Sequence, residues 1–326
     1  MLPLITMFHD INDAYCDLQT QKSHYCEWEN TRNGMALAFQ MPILITHASP
    51  YRRVLFDPIR DANPFFHYME AIWMLSGSQN VDFPAMFASN IKNYSDDGVT
   101  LHGAYGHRWR YHFENDQLEE VIELLQKDHK TRRAVLTMWD PSYDLGADTK
   151  DLPCNTHIYF RIIKRYLNMT VCNRSNDLVW GALGANAVHF SILHEYVANA
   201  VEVNLGEYHQ FTNNLHVYEE WVDRYTKFPS RWYRENPHFD RWEFGPDNIK
   251  ILEAEQFVEQ GLDSDEQYRC RIIRDNAVPM LQAWLAYKDG DLHLALHHAR
   301  GIHDADWQEA CIQWLERRKE KQNGGE

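Results

Sequence analysis

The amino-acid sequence predicts an α+β fold followed by a C-terminal helical extension. Three observations lead to this prediction: short strand-like segments occupy the middle of the chain, amphipathic helices flank them, and the tail shows only helical patterns. The 326 residues are enough for one large or two modest domains. We therefore predict a larger domain over residues 1–264 and a helical extension over residues 265–326.

The first part of the chain contains two predicted strands and two predicted helices. Strands are predicted at Met35–Phe39 and Ile43–Ile45, after an Asn33-Gly34 turn of the type that favours hairpins. A helix begins at Asn63-Pro64, because proline suits the first helical position, and ends near Gly77. Its apolar residues recur at helical spacing: Phe66, Met69, Ile72, Trp73 and Leu75. A second amphipathic helix is predicted over residues 117–128.

The middle of the chain supplies the remaining strands. Strands are predicted at Ala134–Trp139, His157–Ile163 and Leu167–Cys172, and a buried helix at Ala187–Val203. The loop between the first two strands ends in Leu152-Pro153-Cys154-Asn155. The tail is predicted to form two or three helices, one with an apolar stripe at Trp307, Ala310, Cys311, Trp314 and Leu315.

Composition excludes several classes of protein. The net charge of −15 argues against duplex DNA, other nucleic acids and anionic membranes as partners. The sequence contains no run of about 18 apolar residues, and its first residues lack the pattern of a signal peptide, so we predict neither a transmembrane helix nor a signal peptide. Its widely spaced cysteines form no CxxC pair, and its histidines match no ligand spacing, so we predict free thiols, a cytoplasmic location and no metal site.

Cys154 and four arginines are candidates for a site that binds an anionic ligand. A partly exposed thiol near a cation can act as a nucleophile, although a lone cysteine is more often a buried structural residue. Arg174 lies one strand away and could supply the cation. Phosphate groups are often bound by guanidinium groups at such loop and strand edges, although single arginines are usually solvated. The four arginines are Arg32, Arg132, Arg133 and Arg174.

Two further motifs suggest a proton-transferring carboxylate and a pair of residues that binds a hydroxyl group. Glu70 lies among apolar residues of the first helix, where a carboxylate tends to have a raised pKa and can act as an acid or a base. The alternative is that Glu70 lies at the helix edge and faces solvent. His216 and Tyr218 alternate in a strand, so both side chains lie on one face and could bind a sugar hydroxyl.

Taken in order, these motifs resemble the thymidylate synthase family over about residues 28–225. The most specific stretches are Leu152-Pro153-Cys154, Asn173-Arg174-Ser175-Asn176-Asp177 with Gly181 and Asn186, and Asn214-Leu215-His216-Val217-Tyr218. Glu70 with Trp73, Tyr105-Gly106 with Trp109, and Arg132-Arg133 before Trp139 extend the match. The resemblance implies a mixed sheet with flanking helices and favours Cys154 as the nucleophile.

The resemblance also implies a reaction. Cys154 would attack C6 of a pyrimidine nucleoside monophosphate, and C5 would receive a one-carbon unit from 5,10-methylenetetrahydrofolate. Glu70 and Tyr105 would handle protons, Asn186 would read the pyrimidine edge, and Asp177 would contact the pterin. The sugar hydroxyl would be bound by His216 and Tyr218. The 5′-phosphate would be held by Arg32, Arg174 and Ser175 of one subunit and by Arg132 and Arg133 of the partner subunit, which implies a homodimer.

The sequence departs from the family pattern at four places. Asn155 replaces the usual histidine after the nucleophile, and one extra residue separates Gly181 from Asn186. The role of Asn186 therefore assumes a local insertion, and without one Ala185 would take its position and the base would not be read by Asn186. The stretch Ser89–Ser95 lacks the tryptophan that covers the folate, and a charged helical tail replaces the short apolar C-terminus. Without that cover, water could reach the methylene on C5 and give a 5-hydroxymethyl product instead of a methyl product.

The resemblance therefore leaves several activities open. Hydroxymethylation of dUMP is favoured, because an amide at position 186 pairs with O4 and N3–H of uracil. The same amide could flip to pair with cytosine, so a dCMP or CMP hydroxymethylase is an alternative. Thymidylate synthase itself, which makes dTMP from dUMP, and an inactive nucleotide-binding relative are the others.

Overall fold

The computed structural model describes residues 4–12, 14, 26–227, 251–262 and 268–323. Its strands are β1 (Leu4–Phe8), β2 (Cys26–Thr31), β3 (Gly34–Phe39), β4 (Ile43–His47), β5 (Val135–Thr137), β6 (Asn155–Ile163), β7 (Tyr166–Asn173), β8 (Asn176–Asp177), β9 (Asn204–Thr212) and β10 (Leu215–Tyr218). These strands form two sheets with helices packed around them. The α+β prediction is therefore confirmed.

The α-helices follow in chain order. They are α1 (Pro64–Leu75), α2 (Asp82–Phe87), α3 (Tyr105–Arg110), α4 (Gln117–Lys127), α5 (Pro141–Asp144), α6 (Asn186–Ala200), α7 (Glu219–Lys227), α8 (Ile251–Gln260), α9 (Val278–Lys288), α10 (Leu292–Ala299) and α11 (Ala305–Asn323). A 3₁₀-helix spans Ser89–Tyr94, and π-helices span Leu178–Ala185 and Ile272–Ala277. None of the described helices is long and apolar enough to cross a membrane.

The larger sheet is mixed and has six strands in the order β1-β4-β9-β7-β6-β5. β7 pairs in parallel with β9 and antiparallel with β6, so Cys154, just before β6, lies beside Arg174, just after β7. Alternate residues of β7 are buried on one face: Leu167, Met169 and Val171. The opposite face carries exposed apolar side chains, among them Tyr166 on β7.

The smaller sheet has the order β2-β3-β10-β8 and supports the other half of the site. β2 and β3 form the predicted hairpin, but the turn residues are Arg32 and Asn33, one position earlier than predicted. Gly34 opens β3 with a φ of +117°, a conformation that favours glycine. β10 pairs in parallel with β8 and places His216 opposite Asp177.

Helix α1 forms as predicted, and nearly all of its faces are buried. The Asn63 side chain accepts a hydrogen bond from the Phe66 N–H at 3.2 Å, and Pro64 follows in the first turn. Gly77 lies just beyond the helix with a φ of +73°. The helix therefore has well-defined ends and contacts other elements on several sides.

The C-terminal helices pack against α1 through aromatic side chains. Phe65 lies 5.6 Å from both Trp284 and Trp314, measured between ring centroids, and Tyr68 lies 5.2 Å from Trp307. The Tyr68 hydroxyl also donates to the Ile272 carbonyl at 3.2 Å. The predicted boundary between residues 264 and 265 lies outside the described residues, but the helices after it share one hydrophobic core with α1.

The structure adds elements that the sequence patterns missed. β9 is a central strand of the larger sheet, although its sequence shows no clear alternation. α3 lies inside the polar segment 98–110, and the strand predicted at Ala134–Trp139 is limited to Val135–Thr137. Within the described part of the chain, the cysteines are all free thiols, as predicted; Cys16 lies outside it.

Candidate active site

Cys154 ends a loop that Arg174 holds in place. The Arg174 guanidinium donates to the carbonyls of Pro153 and Leu152, at 2.9 and 3.2 Å, and its Nη2 lies 3.9 Å from the Cys154 Sγ atom. The Arg174 backbone N–H also donates to the Cys154 carbonyl at 2.9 Å. The predicted pairing of a thiol with a cation is thus present in the structure.

The surroundings of Cys154 shift the pKa of its thiol in opposite directions. Burial raises the pKa of the Cys154 thiol, and the nearby Asp151 carboxylate adds to this effect. The positive charges of Arg174 and Arg32 oppose it, but the pKa stays above its usual value. Without substrate, the thiol is therefore mostly protonated near neutral pH.

We expect Cys154 in the unliganded protein to react with iodoacetamide more slowly than a free cysteine at pH 7. Its reaction rate should reach half of its maximum at a higher pH, because the raised pKa delays formation of the thiolate. Arg174→Met should move that midpoint further upward by removing a positive charge. Mass spectrometry of the Cys154 peptide measures the rate, with Arg300→Met, at an exposed arginine among the C-terminal helices, as the control. An unchanged midpoint in Arg174→Met would contradict the electrostatic explanation.

Tyr105 contacts the loop that ends at Cys154 from the first turn of α3. Its hydroxyl accepts a hydrogen bond from the Cys154 backbone N–H at 3.3 Å. Burial, with smaller contributions from Cys154 and Asp151, raises the pKa of Tyr105 far above its usual value, so the phenol stays protonated. α3 lies directly against α1 at Gly106, where an added Cβ would lie 1.9 Å from the Met74 carbonyl oxygen. Because Gly106 has no side chain, α3 can pack closely against α1, and this packing sets the position of Tyr105.

Glu70 projects from α1 into a cavity of about 800 Å³. Its Oε2 atom is buried and lies 3.4 Å from Nδ1 of His189, a buried side chain on α6. Among the described residues, neither this oxygen nor either ring nitrogen of His189 makes a hydrogen bond. The His189 ring also lies 6.1 Å from the Tyr105 ring. Sequence reasoning missed His189, because one histidine in an apolar helix does not reveal its partner.

Asp177 lies in the same cavity at the start of the first π-helix. Its Oδ1 atom accepts hydrogen bonds from the backbone N–H groups of Val179 and Trp180. Its Oδ2 atom is buried and makes no hydrogen bond with any described residue. Burial raises the pKa of Asp177, partly opposed by the backbone N–H donors and by His216. The carboxylate therefore has one oxygen left for a ligand.

The cavity wall differs from the sequence expectation. The segment predicted to lack a covering tryptophan contributes Ile91 and Tyr94 to the wall. A tryptophan is nevertheless present, because Trp180 reaches the cavity from the π-helix and is 48% exposed. The Arg60 guanidinium lies 3.9 Å from the centroid of the Trp180 ring. Sequence reasoning missed both Arg60 and Trp180, since they are far apart in the chain.

The predicted sugar-binding pair is on β10. The His216 and Tyr218 rings lie 5.2 Å apart and nearly perpendicular, as expected for alternate residues on one face. The His216 Nδ1 atom lies 3.1 Å from Asn214 Oδ1, and the Tyr218 hydroxyl accepts from Asn33 Nδ2 at 3.3 Å. Tyr218 lines the cavity.

The predicted phosphate ligands divide into two groups. The Arg32 guanidinium donates to the carbonyls of Thr149 and Lys150, at 3.1 Å each, and thus lies over the loop that leads to Cys154. Ser175 follows Arg174 and is half-buried. Two other predicted ligands lie on the surface just before β5, where neither side chain forms an ion pair with a described residue: Arg132 and Arg133.

The extra residue between Gly181 and Asn186 is accommodated by a wider helical turn. The Asn186 backbone N–H donates to the Gly181 carbonyl, five positions earlier, which is the bond of a π-helix. Gly184 leaves helical geometry at φ −120° and ψ −118°. Asn186 itself is buried, and its Nδ2 atom donates to Asn176 Oδ1 at 3.0 Å. Ala185, rather than Asn186, lines the large cavity.

Comparison with known proteins decides the family. The family model described as "Thymidylate synthase" matches residues 63–273, about two thirds of the chain. The chain belongs to the thymidylate synthase family. Enzymes of this family use methylenetetrahydrofolate as a co-substrate.

Within the thymidylate synthase family, curated phage proteins are similar to this chain. A deoxyuridylate hydroxymethyltransferase of Pseudomonas phage M6 is 42% identical over 310 residues, which cover 89% of this chain and 87% of that protein. Another of the same name, from Bacillus phage SP01, is 39% identical over 54% of this chain and 49% of its own length. A third, from Delftia phage PhiW-14, is 34% identical over 61% of this chain and 57% of its own length.

One departure from the family pattern has a clear structural setting. Asn155, at the position of the family's histidine, is fully buried at the start of β6. Neither atom of its side-chain amide forms a hydrogen bond with a described residue. Buried polar atoms are rarely left in this state, so the surroundings of Cys154 differ here from those that the family pattern implies.

Proposed function

We propose that this enzyme hydroxymethylates dUMP at C5, with 5,10-methylenetetrahydrofolate as the one-carbon donor. The observation that carries the proposal is the match, over most of both chains, to a phage deoxyuridylate hydroxymethyltransferase. The site geometry supports it, because the Cys154 thiol lies beside the Arg174 guanidinium. Tyr105, which contacts Cys154, and then His189 connect this thiol to Glu70 on the wall of the large cavity. A hydroxymethylase also needs water at its methylene intermediate, and the 3₁₀-helical wall of the cavity contains no tryptophan.

Cys154 is the proposed nucleophile. Its thiolate adds to C6 of the uracil, and the negative charge that reaches C5 lets this carbon accept the one-carbon unit. C5 then loses its proton, and the bond between the one-carbon unit and the folate nitrogen breaks, so that tetrahydrofolate leaves and a methylene remains on C5. The oxygen of a water molecule bonds to this methylene, and the water gives up a proton. Expulsion of the Cys154 thiolate then restores the C5–C6 double bond. The tethered sulfur thus divides one difficult substitution into smaller steps.

The other residues orient the nucleotide and handle protons. Glu70 and Tyr105 accept and return protons at the base, and Asn186 binds the pyrimidine edge. His216 and Tyr218 bind the sugar hydroxyl. The 5′-phosphate is held by Arg32, Arg174 and Ser175 of one subunit and by Arg132 and Arg133 of the partner subunit.

The residues around the large cavity fit a folate. Asp177 keeps a buried oxygen without a hydrogen bond from the described residues, which suits the N–H groups of a pterin. The half-exposed Trp180 ring offers a flat apolar surface, and the cavity volume is large enough for a drug-sized ligand. When bound, the folate supplies the one-carbon unit.

Mass spectrometry of the products tests this function. The purified enzyme is incubated with methylenetetrahydrofolate and, in separate tubes, with dUMP, dCMP or CMP. A hydroxymethyl group on dUMP, with release of tetrahydrofolate, supports the proposal. A methyl group with dihydrofolate would instead identify a thymidylate synthase. A product only from dCMP or CMP would show that the enzyme acts on a cytosine nucleotide. No product from any tube would indicate an inactive relative.

We also propose that the enzyme is a homodimer formed through the larger sheet. The face of this sheet opposite the helices carries exposed apolar side chains on neighbouring strands: Tyr159, Ile163, Tyr166 and Phe211. An uncovered apolar sheet face of this kind marks an interaction surface. Arg132 and Arg133 lie beside β5, at the edge of the same sheet, from which they could reach a partner's site.

We expect the double variant Tyr159→Glu/Phe211→Glu to be monomeric and to lose most of its activity. The added charges oppose burial of the face, and each site would then lack the two arginines of the partner subunit. Sedimentation velocity measures the mass, and turnover is measured at the same concentrations. Leu145→Glu, at an exposed apolar residue outside the sheet, is the control. A double variant that stays dimeric would place the interface elsewhere.

A further inference from the structure

Behind Asn186, a chain of buried side-chain amides crosses from the π-helix to the larger sheet. Asn186 Nδ2 donates to Asn176 Oδ1 at 3.0 Å, and Asn176 Nδ2 donates to Gln210 Oε1 at 3.3 Å. Gln210 Nε2 then donates to the Ala182 carbonyl at 2.7 Å. The three side chains are almost fully excluded from solvent. We call this set, with its terminal carbonyl, the amide relay.

The hydrogen bond to the Ala182 carbonyl determines the orientation of every amide in the relay. A backbone carbonyl can only accept a hydrogen bond, so Gln210 must turn its NH₂ group toward Ala182. The oxygen of Gln210 then faces Asn176, which must donate to it, and the oxygen of Asn176 in turn faces Asn186. Asn186 must therefore present its NH₂ group to Asn176. Reversing any one amide would bring two oxygens or two NH₂ groups together.

A second contact is compatible with the same direction. The Gln210 Nε2 atom also lies 3.0 Å from His47 Nε2. Burial, with a smaller effect from His209, lowers the pKa of His47 to about 4. The ring is therefore neutral near pH 7, and its Nε2 atom can accept the second hydrogen of Gln210. Both hydrogens of the Gln210 amide thus have acceptors.

The relay also needs the glycine at the start of the wide turn. A Cβ at Gly181 would lie 2.2 Å from Asn176 Oδ1 and 3.2 Å from Asn186 Nδ2. The bare α-carbon thus lets the two amides meet under the π-helix. The same turn supplies the Ala182 carbonyl. Both ends of the relay are therefore set by the π-helix that accommodates the extra residue.

We infer that the amide relay, through Asn176 and Gln210, holds Asn186 in the one orientation that pairs with uracil and so discriminates dUMP from dCMP. This inference rests on the proposed function, which supplies uracil as the base. Within the described part of the chain, nothing donates to Asn186 Oδ1, which leaves it for the N3–H of uracil. The second hydrogen of Nδ2 remains for O4.

Cytosine demands the opposite pattern. Its N3 atom accepts and its exocyclic amino group donates, so Asn186 would have to exchange the positions of its oxygen and its NH₂ group. The exchange would turn every amide of the relay and place Gln210 Oε1 against the Ala182 oxygen. Leaving one buried pair without its hydrogen bond corresponds to a discrimination of about 10- to 100-fold. Asn176 and Gln210 are specificity-determining positioning residues that need not touch the nucleotide.

Binding of the two nucleotides to relay variants tests the inference. Calorimetry gives the dissociation constants of dUMP and dCMP for the wild-type enzyme, for Gln210→Met and for Asn176→Ser, without folate. We expect either variant to lower the preference for dUMP by about 10- to 100-fold, because Asn186 can then turn. Asn276→Ala removes a buried amide in the C-terminal helices, outside the relay, and should leave the ratio unchanged.

Two outcomes would overturn the inference. One is a folded variant, as judged by circular dichroism and thermal melting, that keeps the wild-type ratio of dissociation constants. The other is a wild-type enzyme that binds dCMP as well as dUMP. Asn176→Ser interrupts the same set of hydrogen bonds and provides the test if Gln210→Met does not fold. Failure of the proposed function can be distinguished from failure of this inference. The enzyme could yield a methyl product while its preference for dUMP still depended on Gln210.

Discussion

Cys154→Ser should lower turnover by about a thousandfold or more, the largest loss expected for a single side chain of this enzyme. A serine hydroxyl has a far higher pKa than a thiol, and the neighbouring arginine can stabilise an anion but cannot remove a proton. The variant should still bind dUMP, because the proposed phosphate and sugar ligands are unchanged. Turnover and calorimetric binding of dUMP, measured on the same preparation, separate these two effects.

A covalent adduct gives a second measurement of the same prediction. With 5-fluoro-dUMP and the folate, the wild-type protein should gain the mass of both ligands, because C5 then has no proton to release. Cys154→Ser should gain neither. Cys172→Ser, at a half-buried cysteine on the adjacent strand, is the matched control and should behave like the wild type. Substantial turnover by Cys154→Ser would eliminate the covalent mechanism.

Gly106→Ala should destabilise the fold by about 3 kcal/mol, the size typical of steric overlap in a packed core. The added methyl group would lie 1.9 Å from the Met74 carbonyl oxygen, and a backbone atom cannot turn away as a side chain can. α3 must therefore move off α1, and Tyr105 moves with it. We expect a lower free energy of unfolding in urea and, in the folded fraction, a lower turnover number.

Gly146→Ala is the matched control for this substitution. Gly146 has a φ of +85°, and a Cβ there would meet nothing within 4 Å. Its replacement should cost only about 1 kcal/mol of backbone strain, with no change in turnover. If Gly106→Ala were no more destabilising than Gly146→Ala, the contact between α1 and α3 would be looser than the structure shows.

Most of the fold near the site could be predicted from local patterns. Helix α1 was predictable because its cap, its proline and its apolar spacing agree. Cys154 and Arg174 were predicted to lie close together because each borders one of two successive strands, and those strands pair. The family resemblance then assigned roles to residues that patterns alone left as surface charges.

The unpredicted features depend on contacts between distant residues. β9 lacks an alternating pattern because its inward side chains include Gln210 and Thr212, whose polar atoms form hydrogen bonds with the first π-helix and with β7. Trp180 and Arg60 meet across a long stretch of chain. The position of Asn186 depends on a turn that accommodates an extra residue, which no spacing rule predicts. Arg132 and Arg133 have a predicted role only if a second copy is present.

The position of α1 between the cavity and the C-terminal helices has a consequence for how the protein unfolds. One side of this helix carries Glu70 into the cavity, and another packs on Trp284 and Trp314. Asp61, just before it, pairs with Arg317 and Arg318 of α11. Local opening of the tail would uncover the back of α1 and release Glu70 from its position. We therefore expect the tail and the cavity to lose their structure together, so that damage to the last helix would lower activity before the rest of the fold is lost.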